Sequence, residues 1–217
     1  VGFNLREGRP GTEVIIMVAI VDYDAGNLKS VEKALIYLGE ECRVTGIPEE
    51  IYSADKVILP GVGAFGDAMG KLEKSGLAEV IKKVASDNKP LLGICLGLQL
   101  MFESSDEMPG VNGLGILKGK ILAIPPEDGF KIPHMGWNSI SVRKGSRLFN
   151  GIPDNSYVYF VHSYYLKADN EEDVAASTEY ITHIHAAAEH GNIFACQFHP
   201  EKSGDTGLKI LKNFCGL

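Results

Sequence analysis

The chain has 217 residues, 45% hydrophobic and 23% charged, the balance of a globular protein long enough to bury a sizeable core. Its net charge of −7, with no Lys/Arg cluster, argues against a nucleic-acid partner, and the longest apolar stretches (14–21 and 91–102) are too short or too interrupted to span a bilayer. Four widely spaced cysteines with no C-x-x-C pair give neither a disulfide framework nor a zinc site, so reduced thiols in the cytoplasm, with no metal or cofactor, are expected.

Residues 1–16 lack the long apolar core of a secretory signal, and Met17 directly precedes a clean strand. The expectation is an extension or leader over 1–16, not necessarily native, followed by a single domain over 17–217. A strand over 18–23 runs into Asp24-Ala25-Gly26-Asn27, a turn cluster whose Asn27 suits a helix cap. Leu28, Val31, Leu35 and Leu38 recur at three- and four-residue steps, which predicts an amphipathic helix over 27–38 ending at Gly39. Strands follow over 41–44 and 57–59, the latter leading into Pro60-Gly61-Val62-Gly63. Helical pattern covers 66–72 and 77–85, and a short apolar strand, 91–94, precedes an apolar helix from 96 onward. This alternation predicts an α/β fold with a mostly parallel, mixed central sheet covered by helices on both faces. The second half is richer in β structure, with strands over 120–124, 139–142, 157–164, 174–178, 183–188 and 193–198. The last two read as a hairpin, and a helix over 207–214 closes the chain.

Cys95 sits between the short strand and the helix, with Gly93 and Gly97 two residues to either side. That is the pattern of a nucleophile elbow, with sulfur in place of the usual serine oxygen. The same residue also reads as a buried thiol in a core strand. A cysteine nucleophile needs an oriented base, and His199-Pro200-Glu201 at a strand end offers an imidazole with a carboxylate two residues on. Taken alone, that stretch also reads as a surface histidine beside a solvated glutamate. Backbone N–H groups of the Gly61–Gly63 turn and of Leu96 are candidates for holding an oxyanion, and the glycines flanking Val62 would let its peptide flip. Cys196 alternates to the opposite face from His199 and reads as core. His183 and His185 share a strand face beside His190, without a matching Cys or acid for a metal site.

Taken together, Gly-Ile-Cys-Leu-Gly-Leu-Gln at 93–99 and Phe-His-Pro-Glu at 198–201 resemble the class I, triad-type glutamine amidotransferase family. Within it, Asp-Tyr-Asp-Ala-Gly-Asn-Leu at 22–28, Pro-Gly-Val-Gly-Ala-Phe at 60–65, Pro-His-Met-Gly-Trp-Asn at 133–138, Tyr-Phe-Val-His-Ser-Tyr at 159–164 and His-Pro-Glu-Lys-Ser at 199–203 are similar to glutaminase subunits of imidazole glycerol phosphate synthase. The resemblance runs from about Met17 to the last residue. It implies Cys95 as nucleophile, His199 as general acid/base and Glu201 as its orienter, with Val62, Gly63 and Leu96 forming the oxyanion hole. It further implies glutamine binding by Gly61, Gln99, Ser163 and Tyr164, with His162 near that pocket or purely structural.

The resemblance also implies a heterodimer with a cyclase subunit built as a (β/α)8 barrel. Ammonia would pass into it to make imidazole glycerol phosphate and aminoimidazole carboxamide ribotide in histidine biosynthesis. His134, Trp137, Asn138, Tyr159 and Lys202 would face that partner, Trp137 from a loop marked by Pro133 and Gly136, although a lone tryptophan also reads as core. Two other functions remain open on the residues alone: a glutaminase feeding another synthase, as in surface-sugar biosynthesis, and a catalytically idle regulatory subunit.

Overall fold

Burial on two faces is what the short apolar runs encode, and the sheet is built from them. The computed structural model describes residues 16–24 and 26–217, so the expected leader lies outside the described residues except for Ile16. The first half runs β1 (Met17–Val21), α1 (Leu28–Tyr37), β2 (Glu41–Thr45), α2 (Pro48–Ser53), β3 (Lys56–Leu59), α3 (Phe65–Lys74), α4 (Leu77–Ser86), β4 (Leu91–Ile94) and α5 (Leu96–Leu100). The second runs β5 (Ser104–Ser105), β6 (Gly119–Ala123), β7 (His134–Val142), β8 (Ser156–His162), β9 (Tyr164–Ala168), β10 (Val174–Tyr180), β11 (Thr182–His190), β12 (Ile193–Cys196) and α6 (Gly204–Cys215).

The sheet order is β2-β1-β3-β4-β12-β11-β10-β7-β8. Pairing from β2 to β12 is parallel, and from β12 through β11, β10 and β7 to β8 it is antiparallel. β9 branches off β11 and carries β6, which pairs with β5. Every residue of β3 and β4 is buried, as parallel strands covered on both faces require. Within β1 the two faces separate by alternation. Ala19 and Val21 join Met69, Leu72 and Ile81 of α3 and α4, while Val18 and Ile20 join Val31 and Leu35 of α1 and Leu211 and Phe214 of α6. The α/β expectation holds, with a mixed sheet between helical layers. Among the described residues, no helix is long and apolar enough to cross a membrane.

Three local differences from the expected elements matter below. The strand expected over 157–164 breaks at Ser163, because β8 and β9 pair with different neighbours. β7 begins at His134, so Trp137 lies on a strand paired with Tyr159 rather than on a loop. β12 ends at Cys196, two residues short of expectation; the Gln197 N–H still donates to Ala186 O of β11, while the His199 N–H crosses to Tyr159 O of β8. α2 was not expected; only Ile51 of it is buried, too little to register as a period. The carboxyl ends of β1, β3, β4 and β12 all reach one edge of the sheet, where open α/β folds gather their sites.

Candidate active site

At the end of β4, Cys95 adopts φ 54° and ψ −107°, a conformation side-chain-bearing residues rarely take. Such strain costs about 1–3 kcal/mol and persists only where packing enforces it. The enforcement comes from the flanking glycines. A Cβ on Gly97 would overlap the Leu59 carbonyl oxygen, and one on Gly93 would lie 2.5 Å from Met101 Sδ and 2.8 Å from Gly97 O. Both are required by close approach of α5 to β3 and β4, not by their own dihedrals. The Cys95 N–H is anchored to Cys196 O at 2.8 Å, tying the elbow to β12.

His199 and Glu201 form a buried pair, with Nδ1 donating to Glu201 Oε1 at 2.8 Å. Since the carboxylate accepts, Nδ1 carries a proton, and Nε2 makes no hydrogen bond among the described residues. Burial pulls the His199 pKa down, but Cys95 and Glu201 outweigh it and raise it from 6.5 to about 9. A raised folded-state pKa contributes stability that is complete below 6.5 and is lost as pH climbs through about 9. The stability advantage of the native protein over His199→Asn is therefore expected to shrink across that window. Thermal unfolding of both proteins against pH checks it, and a constant difference would contradict it.

Glu201 Oε1 also accepts from the side-chain amide of Asn27, a partner the sequence did not reveal. Asn27 occupies the cap position of α1 at φ 74°, yet its side chain makes no cap hydrogen bond. The capping expectation is corrected: the amide turns toward Glu201 instead. Alternation shows in Cys196, which is buried in the core as expected.

The loop after β3 presents Val62 and Gly63 to the site, with Gly63 at φ 107°. Among the described residues, no hydrogen bond engages the backbone of Val62 or Gly63 or the N–H of Leu96, so these donors are available. The loop's base is pinned by Tyr23, whose hydroxyl donates to Pro60 O at 3.0 Å. Burial, then Cys95, raises the Tyr23 pKa, keeping it a neutral donor. Gly61 fits beneath that hydroxyl and packs on Leu96 and Gly97, where a Cβ could not be accommodated. It therefore lies behind the cavity wall rather than on it.

The cavity measures about 390 Å³ and is lined by Val62, Gly63, Cys95, Leu96, Gln99, Ser163, Tyr164 and His199, together with Glu107, Pro133, Val161 and His162. Glu107, which no motif marks, places a carboxylate here and accepts the Phe65 N–H at 2.9 Å. Gln99 is largely committed to the protein: its Nε2 donates to Tyr164 O at 3.2 Å and to Gln197 Oε1 at 3.1 Å. Gln197, also missed, directs its own Nε2 to Cys95 Sγ at 3.7 Å. It lies two residues before His199, and strand alternation is the signal that could have found it.

His162 Nδ1 donates to Tyr164 O at 2.9 Å, and its Nε2 meets His134 Nδ1 at 2.9 Å. Burial lowers both pKa values, to about 3 for His162 and about 4 for His134, so both rings are neutral at pH 7.

Of the residues expected to face a partner, His134 does not. It is 3% exposed and stacked between Phe160 and Tyr180, with ring centroids 4.7 and 3.9 Å away. Alternation along β7 sends it to the core face, and Asn138, four residues on, reaches back to its Nε2 at 3.4 Å and is half-buried. Trp137 is 55% exposed and meets Tyr159 edge-on at 6.1 Å, beside exposed Met135 and Tyr157. Lys202 is exposed, and Gly204 lies near the Trp137 ring. His183, His185 and His190 turn to different partners: Glu179, the Ala168 N–H and Asp173. Among the described residues no three His, Cys, Asp or Glu side chains gather as a metal site.

The model of the class-I glutamine amidotransferase family matches residues 19–216. The chain is 52% identical over 198 residues to imidazole glycerol phosphate synthase subunit HisH of Caldanaerobacter subterraneus subsp. tengcongensis, covering 91% of this chain and 97% of that protein. It is 49% identical over 201 residues to the protein of the same name from Methanocaldococcus jannaschii, covering 93% and 100%. A solved structure described as PurLQS from Thermotoga maritima matches with a TM-score of 0.72 over 92% of this chain and 97% of that one. At 22% identity the likeness speaks for the fold alone.

Proposed function

The chain belongs to the class-I glutamine amidotransferase family, and on that premise we propose that it hydrolyses glutamine at Cys95 and supplies the ammonia to the cyclase of imidazole glycerol phosphate synthase, for histidine biosynthesis in the cytoplasm. One observation carries the chemistry: a buried His199–Glu201 pair stands with a free Nε2 beside a cysteine held on a strained elbow.

Cys95 Sγ, its proton held by the His199 imidazolium that the raised pKa favours, attacks the carboxamide carbon of glutamine. The tetrahedral oxyanion is held by the Leu96 N–H and by backbone of the Val62–Gly63 loop, whose unbonded peptides can turn toward it. His199 protonates the departing nitrogen, which leaves as ammonia, and a γ-glutamyl thioester remains. Water, activated by the same imidazole, then releases glutamate and restores the thiol. Glu201, gripped by Asn27, holds the ring by Nδ1 and leaves Nε2 unbonded in the cavity that Cys95 also lines. Glu107 is suited to the α-ammonium of the substrate, while Gln99 Oε1, Ser163 and Tyr164 line the rest of the pocket.

Ammonia that reaches water is protonated and lost, so the reaction favours a partner docked over the site. The exposed face of Met135, Trp137 and Tyr157, with half-buried Tyr159 beneath Trp137, fits that docking, since Val161 sits opposite Met135 and lines the cavity. We assign it to a (β/α)8-barrel cyclase, with Lys202 at its border. The names borne by relatives at 49% and 52% identity support that choice of acceptor.

Glutamate release, measured with and without the cyclase subunit and its nucleotide ligand, tests the reading. Weak turnover alone and strong turnover in the complex are expected; vigorous hydrolysis without a partner would refute the coupling. Trp137→Ala should weaken association by about 30-fold, the effect of losing an aromatic anchor worth roughly 2 kcal/mol. Titration calorimetry against the cyclase checks it, and an unchanged affinity would exclude Trp137 from the interface.

A further inference from the structure

We propose that Gln197 is a further catalytic residue, a buried amide whose N–H is obliged to face the Cys95 sulfur and to hold its negative charge. The inference rests on Cys95 being the nucleophile. Gln197 is 0% exposed, so both ends of its amide need partners inside the protein. The orientation of a glutamine amide is normally a choice between two flips, but here one backbone carbonyl removes the choice.

Tyr164 O can only accept. It receives Gln99 Nε2 at 3.2 Å and His162 Nδ1 at 2.9 Å. The first contact fixes Gln99 with its nitrogen toward Tyr164, and the same nitrogen lies 3.1 Å from the Gln197 amide. An N–H requires an acceptor there, so Gln197 must present Oε1 to Gln99 and Nε2 to Cys95 Sγ, 3.7 Å away. Turning Gln197 over would oppose two NH₂ groups and aim a carbonyl oxygen at the sulfur. The second contact keeps Tyr164 O in place from the other side. His162, with its proton on Nδ1, must accept from His134 Nδ1, and His134 Nε2 then accepts from Asn138 Nδ2. All of these donors point the same way, toward Tyr164, so no local rotation can reverse the chain.

The sulfur carries negative charge twice in each turnover: while His199 holds its proton before attack, and when it leaves the tetrahedral intermediate formed by water on the thioester. Gln197 transfers no proton at either stage; it contributes a fixed N–H to the thiolate. A hydrogen bond to a charged group is worth about tenfold to a hundredfold in rate when removed.

Gln197→Met retains the length and loses the donor. In the assembled complex it should lower kcat by about tenfold to a hundredfold with KM for glutamine nearly unchanged. In the isolated protein, alkylation of Cys95 by iodoacetamide, followed by mass spectrometry, should slow by a comparable factor. Gln197→Glu should be slower still, because it sets a carboxylate oxygen against the sulfur. Unchanged alkylation and kcat in folded Gln197→Met, or a loss confined to KM, would overturn the proposal. If the variants fail to fold, the side-chain amide resonances of Gln197 in the native sequence provide the reading. They should move when Cys95 is replaced by alanine, and unmoved resonances would overturn it. An active Cys95→Ala would remove the nucleophile reading beneath the proposal. An inactive Cys95→Ala with unimpaired Gln197→Met removes the proposal alone.

Discussion

Cys95→Ala is expected to reduce glutamine hydrolysis by at least about 10⁴-fold, since members of such a triad act as a unit and the remaining groups have no nucleophile to serve. The loss should appear in kcat, because the cavity walls formed by Gln99, Glu107 and Tyr164 are untouched. Stability offers a second, independent reading of the same position. Cys95 sits at φ 54°, so alanine retains the strain that cysteine bears, whereas glycine relieves it. Cys95→Gly should therefore unfold at a higher temperature than Cys95→Ala, by an amount matching roughly 1 kcal/mol, while being equally inactive. Glutamate release and thermal unfolding of the two variants check both halves. Turnover surviving in either would end the thioester mechanism.

Gly97→Ala is expected to have the largest effect on the fold of any single methyl added near the site. The new carbon would overlap the carbonyl oxygen of Leu59, a fully buried residue of β3 that has no room to retreat. Separating α5 from β3 should cost about 3 kcal/mol or more, at the upper end for overpacking. Because Leu96 is the adjacent residue, its N–H would shift as well, and losing an oxyanion donor costs on the order of 10² in kcat. Gly70→Ala makes the control: it is a helical glycine of α3 with open space around it, so it should be neutral or stabilising by up to about 1 kcal/mol. Comparable melting of the two variants would contradict the packing argument.

Parts of the site were legible in the chain because they are local. The glycines around Cys95 and the His199-Pro200-Glu201 run each report a strand end within a few residues, and the structure brings both to one cavity. Asn27 and Gln197 were not legible in the same way. Asn27 looked like a cap because its neighbours spell a helix start, yet its partner is 174 positions away. Gln197 lay inside a recognised stretch without a role, because its role depends on Gln99 and Cys95, 98 and 102 positions away. His134 was misplaced for a related reason. Pro133 and Gly136 suggested a loop, but pairing with β8 makes residues 134–142 a strand, and alternation then buries His134 while exposing Trp137.

The amino-acid sequence by itself determined most of the order of elements, the two-faced sheet, the strand-to-helix turn at Cys95 and the His199-Pro200-Glu201 run at the end of β12. Each depends on apolar periodicity or on glycine and proline chemistry, which act over a few residues. Only the tertiary structure decided which amide steadies Glu201, which N–H faces the sulfur, why Gly61 and Gly97 tolerate no side chain, and which face of β7 is open to a partner. Those depend on distances between strands that meet only when the sheet is assembled, and on the direction of hydrogen bonds that a carbonyl on one strand imposes on side chains from another.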